Sequence, residues 1–445
     1  MAKRIVIVGG GFGGAAVAAR LERLFRRDPD VEIMLFDREN FSVFTPLLPE
    51  VPSGALEPKH IVSPLRARLR RTSVRQAEVR AIDVERRLVV AGHCPMCAED
   101  VVEYDYLVLA LGSVTNFFGL PGVAERARTM KSLADGAELH DLVIGKFEHA
   151  DLEPDRAARR RLLTFVVAGG GFAGVETAAE LNDFVRAAGG RYYPRIAPED
   201  VRVVLVHPGD RILPEVSTSL SAYALKKLTS RGVEVLLKAR IAGCDDSCVQ
   251  LSGGATVPSQ TLIWTAGVSQ NPLLGEVDLP RDASGRIEVD STLAVVDRTG
   301  VFALGDCAAV RDIETGKLYP PTAQYAIREG KIVADNVAAA IRGDAPQHFR
   351  YQPLGMLASL GRHSAVAEVV GLKFSGFFAW WLWRTIYLMK LPGFERKVRV
   401  MLDWTLDLFF PRDIVYLRGM HAIQGSAATG IAPDPHTEPE AVGAR

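Results

Sequence analysis

The sequence predicts an α/β chain of two doubly wound parallel sheets, the second inserted in the first, followed by a helical C-terminal segment. Three observations carry this. A short apolar strand, a glycine-rich turn and a helix occur in that order over residues 4–25. The same order returns over residues 163–187. Residues 301–306 then read as one more buried strand, which would rejoin the first sheet.

Each element has a local reason. Residues 4–8 are rich in Ile and Val, and residues 15–25 have helical spacing. Residues 31–36 form the next strand, ending in Asp37. In the second copy, residues 163–168 are the strand, 175–187 the helix and 201–206 the next strand. An insertion carrying Arg191, Tyr192, Tyr193 and Pro194 precedes that strand. Domains are expected at 1–115 with 290–345, and at 116–289. Residues 346–420 should hold a β-hairpin and amphipathic helices, and residues 421–445, small, polar and proline-bearing, a disordered tail. The arginine run at 156–161 reads as a solvated linker or helix face.

Composition narrows the class. The chain has 445 residues, 48% of them apolar, enough for two or three full cores. Its 53 basic and 53 acidic side chains cancel, so the basic footprint of a general nucleic-acid binder is missing. Five cysteines in this length do not make a disulfide framework. The first residues enter a strand at once, which argues against a secretory leader and for a cytosol-facing protein. No apolar stretch reaches the roughly 18 residues a spanning helix needs, which leaves surface attachment open.

Gly9, Gly11 and Gly14 complete G-x-G-x-x-G between strand and helix. The first glycine allows the tight turn, the second lets backbone approach a pyrophosphate, and the third lets helix and strand pack closely. The phosphates then meet free amides at a helix N-terminus. Asp37 stands where a carboxylate accepts from a ribose. Gly169, Gly171 and Gly174 repeat the pattern, with His207 at the position of Asp37. A histidine there does not repel a 2′-phosphate as a carboxylate would, so NADH and NADPH both stay open. Asp306 ends a buried strand within reach of the ribityl chain of an extended flavin. Gly112 and Gly267 sit in small-residue turns after apolar strands, where the chain crosses between domains beside a cofactor. These features read as two Rossmann-like sites, one for non-covalent FAD and one for a nicotinamide.

With these residues assembled, the chain resembles the type II NADH dehydrogenases, the single-chain NADH:quinone oxidoreductases of the pyridine nucleotide-disulfide oxidoreductase-like flavoproteins. The resemblance runs over residues 3–418. Its specific parts are Phe44-Thr45-Pro46-Leu47-Leu48-Pro49-Glu50, the G-x-G-x-x-G-x-E ending at Glu176 with Ala178-Ala179-Glu180-Leu181 after it, Pro320-Pro321-Thr322-Ala323-Gln324, and Phe410-Pro411-Arg412-Asp413. The resemblance implies that Glu176 stands beside the nicotinamide and flavin rings, shaping that site or relaying protons. It implies that Gln324 hydrogen-bonds a quinone oxygen. Ala323 would open a helix whose N-terminal amides face negative charge on the flavin. A second glutamine common in the family is Arg328 here, a departure in the lining of the quinone tunnel. The resemblance also implies a homodimer, a membrane quinone as acceptor, and a place on the cytoplasmic face of the cell membrane.

Alternatives differ in their cysteines. A disulfide reductase needs a redox cysteine after Asp37, and residues 37–69 contain none. A sulfide:quinone reductase also needs cysteines beside the flavin, and Cys307 has no evident partner. A flavin-bearing redox sensor would bind both cofactors without turnover. Cys94 and Cys97, with His93 adjacent, read first as a loop; half a zinc site and a disulfide are the other readings, and a structural zinc wants four ligands. No metal is expected. At the C-terminal end, Trp380, Trp381, Trp383 and Trp404 stand among Phe and Leu with Arg384, Lys390, Arg396, Lys397 and Arg399. Rings and cations together suit a helix lying in a lipid interface, while a buried core or dimer helix gives the same pattern.

Overall fold

The computed structural model describes residues 3–92, 99–353 and 355–416. His93, Cys94, Cys97 and the expected tail lie outside the described residues.

The first sheet has five parallel strands in the order Val301–Ala303, Tyr106–Leu109, Lys3–Val8, Val31–Asp37 and Ser73–Gln76. Ile5 to Val8 are fully buried, as a parallel strand covered on both faces must be. The second sheet repeats the plan with Arg128–Thr129, Thr261–Trp264, Thr164–Ala168, Arg202–His207 and Val233–Leu237, again parallel. The second sheet thus lies between parts of the first in sequence, as the returning strand predicts. The crossing segments Ser113–Thr115 and Val268–Gln270 pair with each other as an antiparallel ribbon.

The glycine-turn helices are longer than the periodicity suggests. They span Phe12–Leu24 and Phe172–Tyr192, because Gly13, Gly14, Gly174 and their neighbours are already helical. The second helix runs through Arg191 and Tyr192 of the expected insertion. The arginine run is the short helix Arg156–Leu162, capped by the Asp155 side chain on the amides of Ala157 and Ala158.

The helix Ala323–Arg342 packs on Phe12–Leu24. A Cβ at Gly330 would come within 2.6 Å of the Gly13 carbonyl oxygen, so glycine sets the closeness of this contact. This contact carries the start of the Gln324 helix to the first glycine turn. After it, Gly355–Ser359, Ala365–Val369 and Leu372–Gly376 form a three-stranded antiparallel sheet where a hairpin was expected. The helices Phe377–Lys390 and Phe394–Phe409 follow. No helix among the described residues is long and apolar enough to cross a membrane.

Candidate active site

Both glycine turns lie at the carboxyl ends of their central strands, where open α/β sheets bind ligands. Gly9 has φ 104° and Gly169 φ 109°, a region that favours glycine. A Cβ on Gly14 would sit 1.8 Å from the Gly9 carbonyl oxygen, and one on Gly174 the same distance from that of Gly169. The middle glycines differ. A Cβ on Gly11 would meet nothing within 4 Å, and one on Gly171 only Glu215 Oε1 at 3.9 Å. No packing reason requires glycine there, and the open space leaves the backbone approachable by a ligand. The residues present fit a pyrophosphate at each turn.

The strand-end side chains hold the turns. Gly10 N–H donates to Asp37 Oδ2 at 2.5 Å, and Glu39 N–H to Oδ1 at 2.7 Å. Burial raises the Asp37 carboxyl above its ordinary value, against those two hydrogen bonds. In the second unit Gly170 N–H donates to His207 Nδ1 at 3.1 Å. That bond makes Nδ1 an acceptor, so the neutral ring carries its proton on Nε2. Burial lowers the His207 pKa, against smaller pulls from Glu215, the Arg211 carbonyl and Asp210. His207 is thus a neutral counterpart of Asp37 in the same mechanical role.

Asp306 follows Gly305, whose φ is +70°. Ser113 Oγ donates to Asp306 Oδ2 at 2.7 Å, and Lys131 Nζ to Ser113 Oγ at 2.8 Å. Gly305 N–H donates to Glu329 Oε2 at 2.7 Å. Burial pushes the Glu329 carboxyl up to about 7, with Asp306 adding to it. Gly112, with φ +64°, lies in the turn between the neighbouring strand Tyr106–Leu109 and the crossing segment Ser113–Thr115. Gly267 accommodates the Phe118 ring, whose Cζ would lie 2.5 Å from a Cβ there. Thr322 precedes Ala323 in an extended conformation, and its side chain makes no capping bond to the helix. Cys307 is buried, with its thiol pushed up to about 11 by burial and its Sγ 3.2 Å from the Leu304 carbonyl. Such a thiol is a poor nucleophile.

Glu176 is buried on the second glycine helix. Its Oε1 accepts from Ser359 N–H at 2.8 Å and from Trp383 Nε1 at 3.2 Å. Burial raises its carboxyl from 4.5 to about 8, with Glu50 and Glu180 adding to it. Glu176 is therefore mostly protonated at neutral pH. Phe12, Phe44, Tyr387 and Trp383 meet in turn edge to face, with ring centroids 6.0, 6.1 and 4.9 Å apart, an aromatic wall from the first turn to Glu176. An acid whose folded pKa is raised favours folding most below its unfolded value, and that contribution is lost as pH rises through about 8. The thermal midpoint should fall over this window. Glu176→Gln, which keeps an acceptor but cannot ionise, should flatten the fall; identical profiles for both proteins would sink this reading.

Several charged residues come together here in a network unassigned from sequence, although Glu50, Glu180 and Arg412 fall in the segments that carry the resemblance. Glu50 accepts from Trp404 Nε1 at 2.5 Å. Arg412 pairs with Asp407 at 2.8 Å and with Glu180 at 3.4 Å. Arg384 stacks over Trp380 and Trp404 at 4.2 and 4.7 Å. Burial lowers its pKa, while Glu50, Glu180 and Asp407 oppose this. Three of the four C-terminal tryptophans, Trp380, Trp383 and Trp404, are buried, and the half-buried Arg384 lies against two of them. The outward apolar face is Phe377, Phe378, Trp381, Phe394, Phe409 and Phe410. Gln324 is half-buried at the start of its helix, with Oε1 3.3 Å from Tyr351 Oη.

Residues 3–330 match the family model for pyridine nucleotide-disulphide oxidoreductases, and residues 354–413 match that of the NDH2 C-terminal domain. The chain is 33% identical to the type II NADH:quinone oxidoreductase Ndh of Mycobacterium tuberculosis, over 92% of this chain and 89% of that protein. It is 31% identical to the demethylphylloquinone reductase NdbB of a Synechocystis species, over 90% of this chain and 95% of that protein. Its fold is similar to that of NDH2 from Plasmodium falciparum solved with NADH, with a TM-score of 0.86 at 20% identity, covering 93% of this chain and 100% of the other. The sulfide:quinone oxidoreductase of Aquifex aeolicus is less similar, with a TM-score of 0.67 at 20% identity over 92% of this chain and 96% of the other.

Proposed function

Since the chain belongs to the type II NADH:quinone oxidoreductase family, we propose that it is an FAD-dependent, non-proton-pumping enzyme that oxidises NADH, or NADPH, and reduces a membrane quinone. The observation that carries this is the pairing of two equivalent nucleotide turns with Gln324 at the start of the helix packed on the first. When bound, FAD would supply the redox chemistry, accepting a hydride and passing on two electrons.

The protein's own part follows from its residues. Gly9, Gly11, Gly14, Asp37, Gly112, Asp306 and Ala323 would hold the flavin nucleotide. Gly169, Gly171, Gly174, His207 and Gly267 would hold the nicotinamide nucleotide. Glu176, protonated and fixed by Ser359 and Trp383, borders the nicotinamide side without adding negative charge near the reacting rings. Gln324 meets the quinone oxygen. Loss of Gln324 tests this directly. Gln324→Ala should raise the quinone KM roughly 10-fold, the worth of one good hydrogen bond, while flavin reduction by NADH in stopped flow stays as fast. Unchanged turnover would remove Gln324 from the quinone site.

The exposed rings of the two C-terminal helices support peripheral attachment to lipid; the cytoplasmic face and a homodimer are proposed from the family resemblance. Phe377→Ser, Phe394→Ser and Phe409→Ser together should release the protein from sedimenting vesicles of anionic lipid. Continued sedimentation would move the lipid contact elsewhere.

A further inference from the structure

Gln324 is clamped from two sides. Tyr351 Oη lies 3.3 Å from Gln324 Oε1. Arg328 Nη1 donates to the Gln324 backbone carbonyl at 2.8 Å, and its guanidinium carbon stands 4.0 Å from the Tyr351 ring centroid. The Tyr351 ring also meets Tyr325 edge-on at 5.1 Å. Arg328 is thus folded back on the clamp. Lys390, the last residue of the helix Phe377–Lys390, is near enough that its pKa is lowered by partial burial and then by the Arg328 charge. The cluster therefore sits where the Gln324 helix meets the C-terminal helices.

A carboxamide has one accepting end and one donating end. A quinone oxygen only accepts, so the amide must present Nε2. A phenol can donate or accept, and alone would not choose between the two amide orientations. The cation over the ring face draws electron density from the phenol and makes its hydroxyl the better donor. That choice engages Gln324 Oε1 and leaves both Nε2 hydrogens free.

Resting on the reading of Gln324 as the quinone-side residue, we propose that Tyr351 is a positioning residue for quinone reduction: its hydroxyl fixes the Gln324 carboxamide with Nε2 toward the quinone, and Arg328 holds Tyr351 in place by stacking.

The test uses the full-length holoenzyme and a short-chain ubiquinone. Tyr351→Phe deletes the hydroxyl and keeps the ring under Arg328. It should raise the quinone KM about 3- to 10-fold, the range of one net hydrogen bond, with flavin reduction by NADH unchanged in rate. In a Gln324→Ala background the same substitution should add nothing. A KM unchanged by Tyr351→Phe but raised by Gln324→Ala overturns the clamp and spares the quinone reading. No effect from Gln324→Ala overturns that reading itself. Additive losses in the double variant show Tyr351 acting independently of Gln324, and also overturn the proposal.

Discussion

Gly171→Ala should leave the thermal midpoint unchanged and weaken NADH binding roughly 100-fold, the worth of about two charge-assisted hydrogen bonds from backbone to phosphate. The added Cβ would meet only Glu215 Oε1 at 3.9 Å, so the fold has room for it. The pyrophosphate does not, because it needs the backbone itself at that point. Gly174→Ala makes the contrast. Its Cβ would lie 1.8 Å from the Gly169 carbonyl oxygen and 2.6 Å from Thr265 Oγ1, both within the protein. That variant should lose stability and binding together. Thermal melts and NADH titration of the two variants separate a ligand effect from a folding effect. NADH affinity that survives Gly171→Ala would show that the pyrophosphate does not rest on this turn.

Arg412→Met should destabilise the protein by roughly 3–5 kcal/mol, the usual cost of leaving buried charges without their partner. Arg412 is 10% exposed, and its partners Asp407 and Glu180 are 5% and 4% exposed. Burial alone would raise the Asp407 carboxyl; the hydrogen bond and charge of Arg412 outweigh it and bring the pKa below its ordinary value. Burial raises that of Glu180, and Arg412 opposes the rise. Without the arginine both acids can escape by taking up protons, so the deficit should shrink at low pH and grow as pH rises. Arg399→Met is the control. Its pair with Glu395 is 43% and 66% exposed, and solvent screening leaves such pairs with little effect. Equal melting points for the Arg412 and Arg399 variants would show that the buried network does not hold the C-terminal helices down.

The two nucleotide turns were legible because their determinants are local. Strand, turn and helix fall within about 25 residues, and each glycine has a steric or ligand reason readable from its place in the motif. Asp37 and His207 were legible for the same reason, since both end the next strand. The C-terminal helices were only half legible. Aromatic and basic residues at helical spacing suit lipid and core alike. Position in the helix does not reveal that Trp383 turns inward to Glu176 while Trp381 turns outward. Arg384 looks in sequence like the lipid-facing cations, yet it stacks on the buried Trp380 and Trp404, near enough to Glu50, Glu180 and Asp407 to feel their charge. Glu50, Glu180, Asp407 and Arg412 come from three distant parts of the chain. No window of sequence contains their reason for being charged. Tyr351 was missed likewise, because its partner is 27 positions away on another element.

The matched bonds from Gly10 to Asp37 and from Gly170 to His207 have an engineering consequence. What the turn itself requires of that side chain is an acceptor atom at fixed reach; its other end, which accepts from Glu39 N–H in Asp37 and meets the Arg211 carbonyl in His207, is the part proposed to face the adenosine ribose. Two selections therefore act on one residue, and they can be separated. A library at position 207 restricted to Asp, Asn and His retains the acceptor at the same reach while varying charge at the far end. It would sort variants by tolerance of a 2′-phosphate without first having to discard those whose turn has come apart.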